Sequence, residues 1–501
     1  MYFIGLDVGT SGCKASVTDK DGVVIRHAYR EYSTTSPGYG QIEIDANTVY
    51  AAVKEVLSEI AGPDVGALAV ASFGEAMVFV DRAGEVMAPS IYYSDVRGSV
   101  ESREIPSLID TGRLMDITGL SPNPMYSASK LMWIKNNQPE LIENAEAIFL
   151  YVDYVSWKLS GERAIDYSLA SRTMLLDIYK KEWSEEVAEA FGLSIEKFSN
   201  LAKAGTVIGK ILPDVAREIG LPPDLVIVSG GHDQVFSAIG GGALKPGESV
   251  NMMGSGEALT LILDKNDANP LMAKYRYCIE PFYFDDSYMT LAFNASAGTA
   301  IKWYRNCYNA DRDGEAKAKD MKSVYALMDS ECPDDPTGII FLPYLAGSGT
   351  PYFDAQAGGS FIGLRQGDTR AKVYKSVMEG VCYEMKLNME FLSQCGLNIS
   401  KIACVGGGAI SDTLMQIKAN VTGREVHVLK NWETGTIGLA LVCARAVGQI
   451  DDLTGAAKRL SEIEKTFYPD PKQVEFYAKK MAIYKDVYPT IAGLLSIEGG
   501  F

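Results

Sequence analysis

The sequence is poor in the residues that build metal and redox centres. It has three histidines in 501 residues, His27, His232 and His427, which excludes a histidine-rich metal site. Its eight cysteines, at positions 13, 278, 307, 332, 382, 395, 404 and 443, form no C-x-x-C pair, and none neighbours a histidine at ligand spacing. They read as small, buried apolar residues in a reducing compartment. No G-x-x-x-x-G-K-[ST] run occurs: the one Gly-Lys pair, Gly209-Lys210, is followed by Ile211. A P-loop kinase or ATPase is therefore disfavoured.

Positive charge is also short, with 47 Lys+Arg against 64 Asp+Glu and a formal net charge of -17. That balance argues against a generic nucleic-acid binder and against adhesion to anionic membranes. Long hydrophobic runs are missing too. Residues 65–80 are the most membrane-like stretch, but Glu75 interrupts them and they are too short to span. The opening Met1-Tyr2-Phe3-Ile4-Gly5 has no basic n-region or cleavage pattern. These absences point to a soluble cytoplasmic enzyme. What is present is an ordinary globular balance, 47% hydrophobic and 22% charged, over a length that calls for two large domains.

Residues 2–7 read as a short apolar strand ending on a carboxylate, Gly9-Thr10-Ser11-Gly12 as a tight turn, and residues 14–19 as a second strand. Asp21-Gly22 signals a hairpin into a third strand over residues 23–31. A helix follows, capped by Asp45, with Val49, Val53, Val56, Leu57 and Ile60 on one face. Residues 65–72 form a continuous apolar strand, as inside a sheet covered on both faces. The order recurs later: a strand at 248–253, the turn Gly254-Ser255-Gly256, and strands at 257–263, 275–284 and 401–405. This predicts an α/β protein with an internal duplication. The change of domain falls near residues 240–247, giving domains of 1–245 and 246–501. The charged stretch from residue 451 onward reads as a solvated helix closing the second domain.

Three glycine-rich turns carry most of the chemical signal. In Asp7-Val8-Gly9-Thr10-Ser11-Gly12-Cys13-Lys14 the backbone N–H groups converge on an anion. Thr10 and Ser11 add hydroxyl donors there, and Lys14 adds a positive charge. Gly254-Ser255-Gly256 repeats the arrangement, and Gly406-Gly407-Gly408-Ala409 joins a strand to a helix near Ser411. Any one turn is compatible with a plain hairpin; together they suggest a bound nucleotide. Gly230-Gly231-His232-Asp233-Gln234 follows an apolar strand. Asp233 there suits either a catalytic carboxylate or a helix N-cap. Asp7 suits either Mg²⁺, through water, or its own turn. Glu75, inside an apolar stretch, must be solvated or paired, which makes it a substrate-contact candidate, with an edge or hairpin turn as the alternative.

Met125-x-Ser127-x-x-Lys130-Leu131-x-Trp133-Ile134-x-Asn136-Asn137 resembles the first signature of the FGGY carbohydrate kinases. Gly359-x-Phe361-x-Gly363-Leu364, continuing to Ser376-Val377-Met378-Glu379-Gly380, is similar to the second. Asp166-Tyr167-Ser168-Leu169-Ala170-Ser171-Arg172-Thr173 agrees with a third family stretch. The resemblance covers nearly the whole chain. It implies two actin-like (ribonuclease H-like) domains with an interdomain catalytic cleft, the sugar or polyol bound mainly on the first domain and ATP on the second. It implies Asp233 as general base, and phosphate contacts at Thr10, Ser11, Lys14, Gly254 and Ser255. The adenosine side would be Gly407, Gly408, Ala409 and Asp412, and Mg²⁺ would sit near Asp7 and Asp233.

For the acceptor, Ser72-Phe73-Gly74-Glu75-Ala76 lacks the Met-His pair usual in xylulose kinases. Glu75 matches the Glu of the Arg-Glu pair in glycerol kinases, but Gly74 replaces the Arg. Asp233-Gln234 is glycerol-kinase-like. Tyr92, Tyr93, Asp95 and Arg97 form a second acceptor cluster, for which an exposed loop is the alternative. The expected reaction is ATP-dependent phosphorylation of a ketose or polyol, foremost a ketopentose such as xylulose, with glycerol or a short polyol as the alternative. An actin-like nucleotide switch and a catalytically silent sugar binder are the non-enzyme alternatives. Homodimers are common in the family, though no segment here shows one.

Overall fold

The structure, a computed structural model, describes residues 1–495. They divide into two compact units. The first comprises Met1–Leu244, Cys278–Met289 and Glu433–Ser461; the second comprises Lys245–Tyr277, Thr290–Trp432 and the chain from Glu462 on.

In the first unit, Tyr2–Val8, Gly12–Thr18 and Val24–Glu31 pair antiparallel in succession, the tight turn and the Asp21-Gly22 hairpin setting the register. Val65–Ser72 then adds parallel to Tyr2–Val8, and Val226–His232 parallel to Val65–Ser72. Val207–Lys210 closes the edge antiparallel. The helix Ala46–Ile60 covers one face. Asp45 caps it, accepting from the Asn47 and Thr48 N–H groups at 3.2 and 3.1 Å. Val49, Val53, Val56, Leu57 and Ile60 are buried as their spacing requires, each contributing roughly 1.5–3 kcal/mol. Asp233–Gly240 and Thr434–Ala446 pack on each other and on the sheet. Glycines permit that approach: a Cβ at Gly240 would strike the Thr434 carbonyl oxygen, and one at Gly438 that of Phe236. With both faces covered, all of Val65–Ser72 but Gly66 is buried.

The second unit repeats the order. Its sheet runs Ser287–Asn294 (from Thr290 on), Glu257–Asp264, Glu248–Met253, Lys401–Val405, Val426–Leu429, Ile463–Phe467. Glu248–Met253 pairs antiparallel with Glu257–Asp264 and parallel with Lys401–Val405, and Ile463–Phe467 closes the edge antiparallel. The chain is thus a mixed α/β protein built from two copies of one sheet plan.

Three expectations are corrected. The third strand of the second copy is Ser287–Asn294, not residues 275–284. Within that apolar run only Glu280–Pro281 forms a ladder, briefly, with Tyr288 and Met289, and Phe282 N–H donates to the Ser287 carbonyl beyond it. The stretch after residue 451 is not one solvated helix. Leu453–Leu460 belongs to the first unit, Ile463–Phe467 is a strand, and Pro471–Leu495 buries Tyr477, Met481, Tyr484 and Tyr488. Finally, six cysteines are buried, but Cys332 is half-buried and Cys307 exposed. Among the described residues no helix is long and apolar enough to cross a membrane.

Candidate active site

The carboxylates of the first unit collect at the C-terminal ends of three neighbouring strands. Val8 and His232 both lie opposite Ser72 in the parallel ladders, which brings Asp7, Glu75 and Asp233 to the same end of the sheet. Asp233 is the first residue of its helix, and His232 occupies the cap position without a side-chain capping bond. Asp233 is therefore not the N-cap. Its Oδ1 is buried and accepts no hydrogen bond; the nearest ionisable partner is His232 Nε2, at 3.4 Å.

Asp7 faces Lys14 across the antiparallel ladder, and the Lys14 ammonium lies 3.5 Å from Asp7 Oδ2 and 3.1 Å from Glu433 Oε2. Burial pushes the Asp7 carboxyl up to about 6; Lys14 opposes this, and Asp233 and Glu433 add to it. Burial also works against the charge on Lys14, but Asp7 and Glu433 outweigh it and raise its pKa above the ordinary lysine value. Tyr92 neighbours Thr10, and its ring lies 4.5 Å from that of Tyr93. Burial raises the Tyr93 hydroxyl, followed by the charge of Glu75 and, more weakly, of Asp233. Ser11 is exposed at the turn, and its carbonyl accepts from Tyr32 N–H at 3.2 Å.

Glu75 stands in a turn at φ 72° and is buried. Its charge is answered by Arg172, whose Nε donates to Oε1 at 2.7 Å and whose Nη2 bonds the same oxygen. Arg172 also donates through Nη1 to Glu280, and its guanidinium lies 4.9 Å over the Tyr126 ring. Glu280 in turn holds His232 Nδ1 at 3.0 Å. Burial opposes the ionised Glu280, but Arg172 and His232 bring its carboxyl down to about 2. His232 is raised against its burial by Glu280 and Asp233. Ala76 and Gln234 are buried beside these groups in the chain.

Asp95 is a correction on both of its expected readings. It is neither exposed nor open to an acceptor. Its oxygens accept from Arg97 N–H, Nε and Nη2 and from Ile42 N–H, and its side chain has no exposed surface. Lys130, from the first family signature, secures the loop by donating to the carbonyls of Asp95 and Arg97.

In the second unit the two glycine turns leave neighbouring strand ends, since Met252 pairs with Val405. The Gly254 and Ser255 carbonyls accept from N–H groups of Ala297, Gly298 and Thr299, fixing an exposed turn at the start of Gly298–Tyr308. Gly406 sits at φ 88°, where a side chain is strained, and Gly408 packs on Met253. Gly407 has open space where a Cβ would point, and Ala409 is buried. Ser411 caps the next helix, accepting from Leu414 N–H at 3.1 Å and donating to Asp329 at 2.7 Å. Asp412 is exposed and paired with Lys465 at 2.7 Å, so its carboxylate is spent on the surface.

Glu433, Arg172 and Glu280 carry site charges that sequence reasoning did not assign. Arg172 lies within the family-like stretch Asp166–Thr173, whereas nothing local marks Glu433 or Glu280. Among the described residues no group of three or more His, Cys, Asp or Glu forms a closed metal cage. The orphaned Oδ1 atoms of Asp7 and Asp233 fit a cation held by two carboxylates and otherwise by water and phosphate, the usual manner of Mg²⁺.

Comparison with known proteins agrees with this architecture. The chain is 25% identical over 493 residues to xylulose kinase of Bacillus subtilis, covering 97% of this chain and 96% of that one. It is also 25% identical to the gluconokinase of the same organism, over 92% of each chain. A ligand-bound xylulose kinase from Lactobacillus acidophilus superposes with a TM-score of 0.88 at 23% identity, covering 98% of each chain. Plasmodium falciparum glycerol kinase with ADP gives 0.84 at 19% identity, again over 98% of each. Residues 2–240 match the N-terminal domain of the FGGY family of carbohydrate kinases and residues 260–447 its C-terminal domain, and the chain belongs to that family as a sugar-phosphorylating enzyme.

Proposed function

We propose that this kinase transfers the γ-phosphoryl group of ATP to a hydroxyl of a ketose or polyol, foremost a ketopentose such as xylulose. The observation that carries the reading is Asp233. Its buried Oδ1 is unbonded at a strand-to-helix junction, beside Asp7 and His232. The similarity to xylulose kinases over nearly the whole chain supports the choice of acceptor.

Phosphoryl transfer passes through a loose transition state, so positioning and charge neutralisation do most of the work. The acceptor oxygen bonds the γ-phosphorus, the bond to the β,γ-bridging oxygen breaks, and ADP leaves. Asp233 takes the hydroxyl proton. A carboxylate suffices because the alcohol becomes acidic only as the O–P bond forms. Phosphate contacts are assigned to Lys14, Thr10, Ser11, Gly254 and Ser255. Gly407, Gly408 and Ala409 would receive the adenosine side, the open space at Gly407 supporting that assignment. Bound Mg²⁺, held by Asp7 and Asp233, would neutralise phosphate charge.

A short polyol such as glycerol is the second reading, favoured by Glu75 and by Asp233-Gln234. ADP release with Mg-ATP across ketoses, aldoses and polyols separates the two. Turnover led by D-xylulose supports the first reading and turnover led by glycerol the second. ATP hydrolysis that ignores every acceptor would contradict both.

A further inference from the structure

An acceptor that carries a carboxylate needs a cation with hydrogen-bonding capacity to spare. Around Asp233 in the first unit the cations already face carboxylates. Arg172 donates through Nε and Nη2 to Glu75 and through Nη1 to Glu280, and its side chain is 5% exposed. Lys14 is held by Asp7 and Glu433 and, on the proposed reading, serves the phosphate of ATP rather than the acceptor. His232 is fixed by Glu280 through Nδ1 and faces Asp233 through Nε2. The network reaches Asp233 through His232, which lies 3.0 Å from Glu280 and 3.4 Å from Asp233. Carboxylates therefore outnumber cations around Asp233.

We propose that the pairing of Arg172 with both Glu75 and Glu280 closes the acceptor site to anions, so that the enzyme takes uncharged ketoses and polyols and rejects aldonates. This rests on the reading of Asp233 as the base at the acceptor hydroxyl. An aldonate entering there meets an excess of negative charge. To draw Arg172 to itself it would have to strip buried Glu75 of its partner and leave Glu280 with His232 alone. Arg172 is thus a specificity-determining residue that works by being unavailable.

The test compares pairs of equal chain length that differ in terminal charge: xylitol with D-xylonate, and D-glucitol with D-gluconate, with D-xylulose alongside. Wild-type kcat/KM is expected to be about 100-fold or more lower for each acid than for its polyol. In Glu280→Gln, one carboxylate on Arg172 becomes neutral, and the acid-to-polyol ratio of kcat/KM should rise about tenfold. Glu75→Gln reads the same ratio if Glu280→Gln does not fold. Acids turned over as well as their polyols, or a ratio unmoved in a folded variant, overturn the inference while the kinase reading stands. No turnover of any member, D-xylulose included, overturns the acceptor reading and this inference with it.

Discussion

The Lys14 ammonium lies 3.1 Å from the Glu433 carboxylate and 3.5 Å from that of Asp7, so the one lysine of the first glycine turn is held from two sides. Glu433 immediately precedes the helix Thr434–Ala446, and a Cβ at Gly435, in that helix's first turn, would lie 3.6 Å from Asp7 Oδ2. On the proposed phosphate role of Lys14, this pairing would orient the ammonium and Glu433 would act through it.

Glu433→Gln is therefore expected to lower kcat/KM for ATP by about tenfold, roughly 1.4 kcal/mol of transition-state stabilisation. The loss should vanish in a Lys14→Met background, because the two changes remove one interaction. Steady-state kinetics over the double-mutant cycle measure this. Strict additivity would show that Glu433 acts by some route other than Lys14.

A second prediction concerns pH. Glu384 is buried in the second unit, accepting from the Tyr344 and Tyr484 hydroxyls at 2.8 and 2.5 Å. Burial pushes its carboxyl up to about 7, the two tyrosines opposing. The folded protein thus favours the protonated form. The associated stability is complete below the unfolded value near 4.5 and is lost as pH rises through about 7. Glu384→Gln cannot ionise, so its stability relative to wild type should grow between pH 5 and 8, by up to about 3 kcal/mol. Urea unfolding at both pH values checks the sign; a constant difference would contradict it.

The crossing of Asp233–Gly240 with Thr434–Ala446 depends on glycines that a methyl group would drive into backbone carbonyls. Gly438→Ala should cost about 1–3 kcal/mol through overpacking. It should also disturb Asp233, which starts one of the two helices. Unchanged unfolding midpoint and turnover would show that the crossing has slack.

Much of this fold is legible because its signals are local. Alternation, the Gly9–Gly12 turn and the Asp21-Gly22 hairpin mark three strands, and Asp45 with its valine stripe marks the first helix. The misplaced third strand of the second copy shows the limit. Residues 275–284 are apolar enough for a strand, but Cys278–Met289 packs with the first unit, a decision made by tertiary contacts. The same holds for charge. That Glu75 needs a partner follows from its setting, yet that the partner is Arg172 depends on a contact across the chain. Asp95 misled for the complementary reason: acidic and basic residues two apart suggest an exposed loop, and here they neutralise each other in the interior.

On the proposed mechanism Asp233 removes the acceptor proton, and Asp233→Asn deletes that base at nearly unchanged size. Rapid-quench single turnover at saturating Mg-ATP and D-xylulose isolates the transfer step, with calorimetric titration reporting binding of each substrate. The account predicts a transfer rate lower by about 10²- to 10⁴-fold with both substrates still bound. Transfer by Asp233→Asn within about threefold of wild type, against that expected loss, would contradict it.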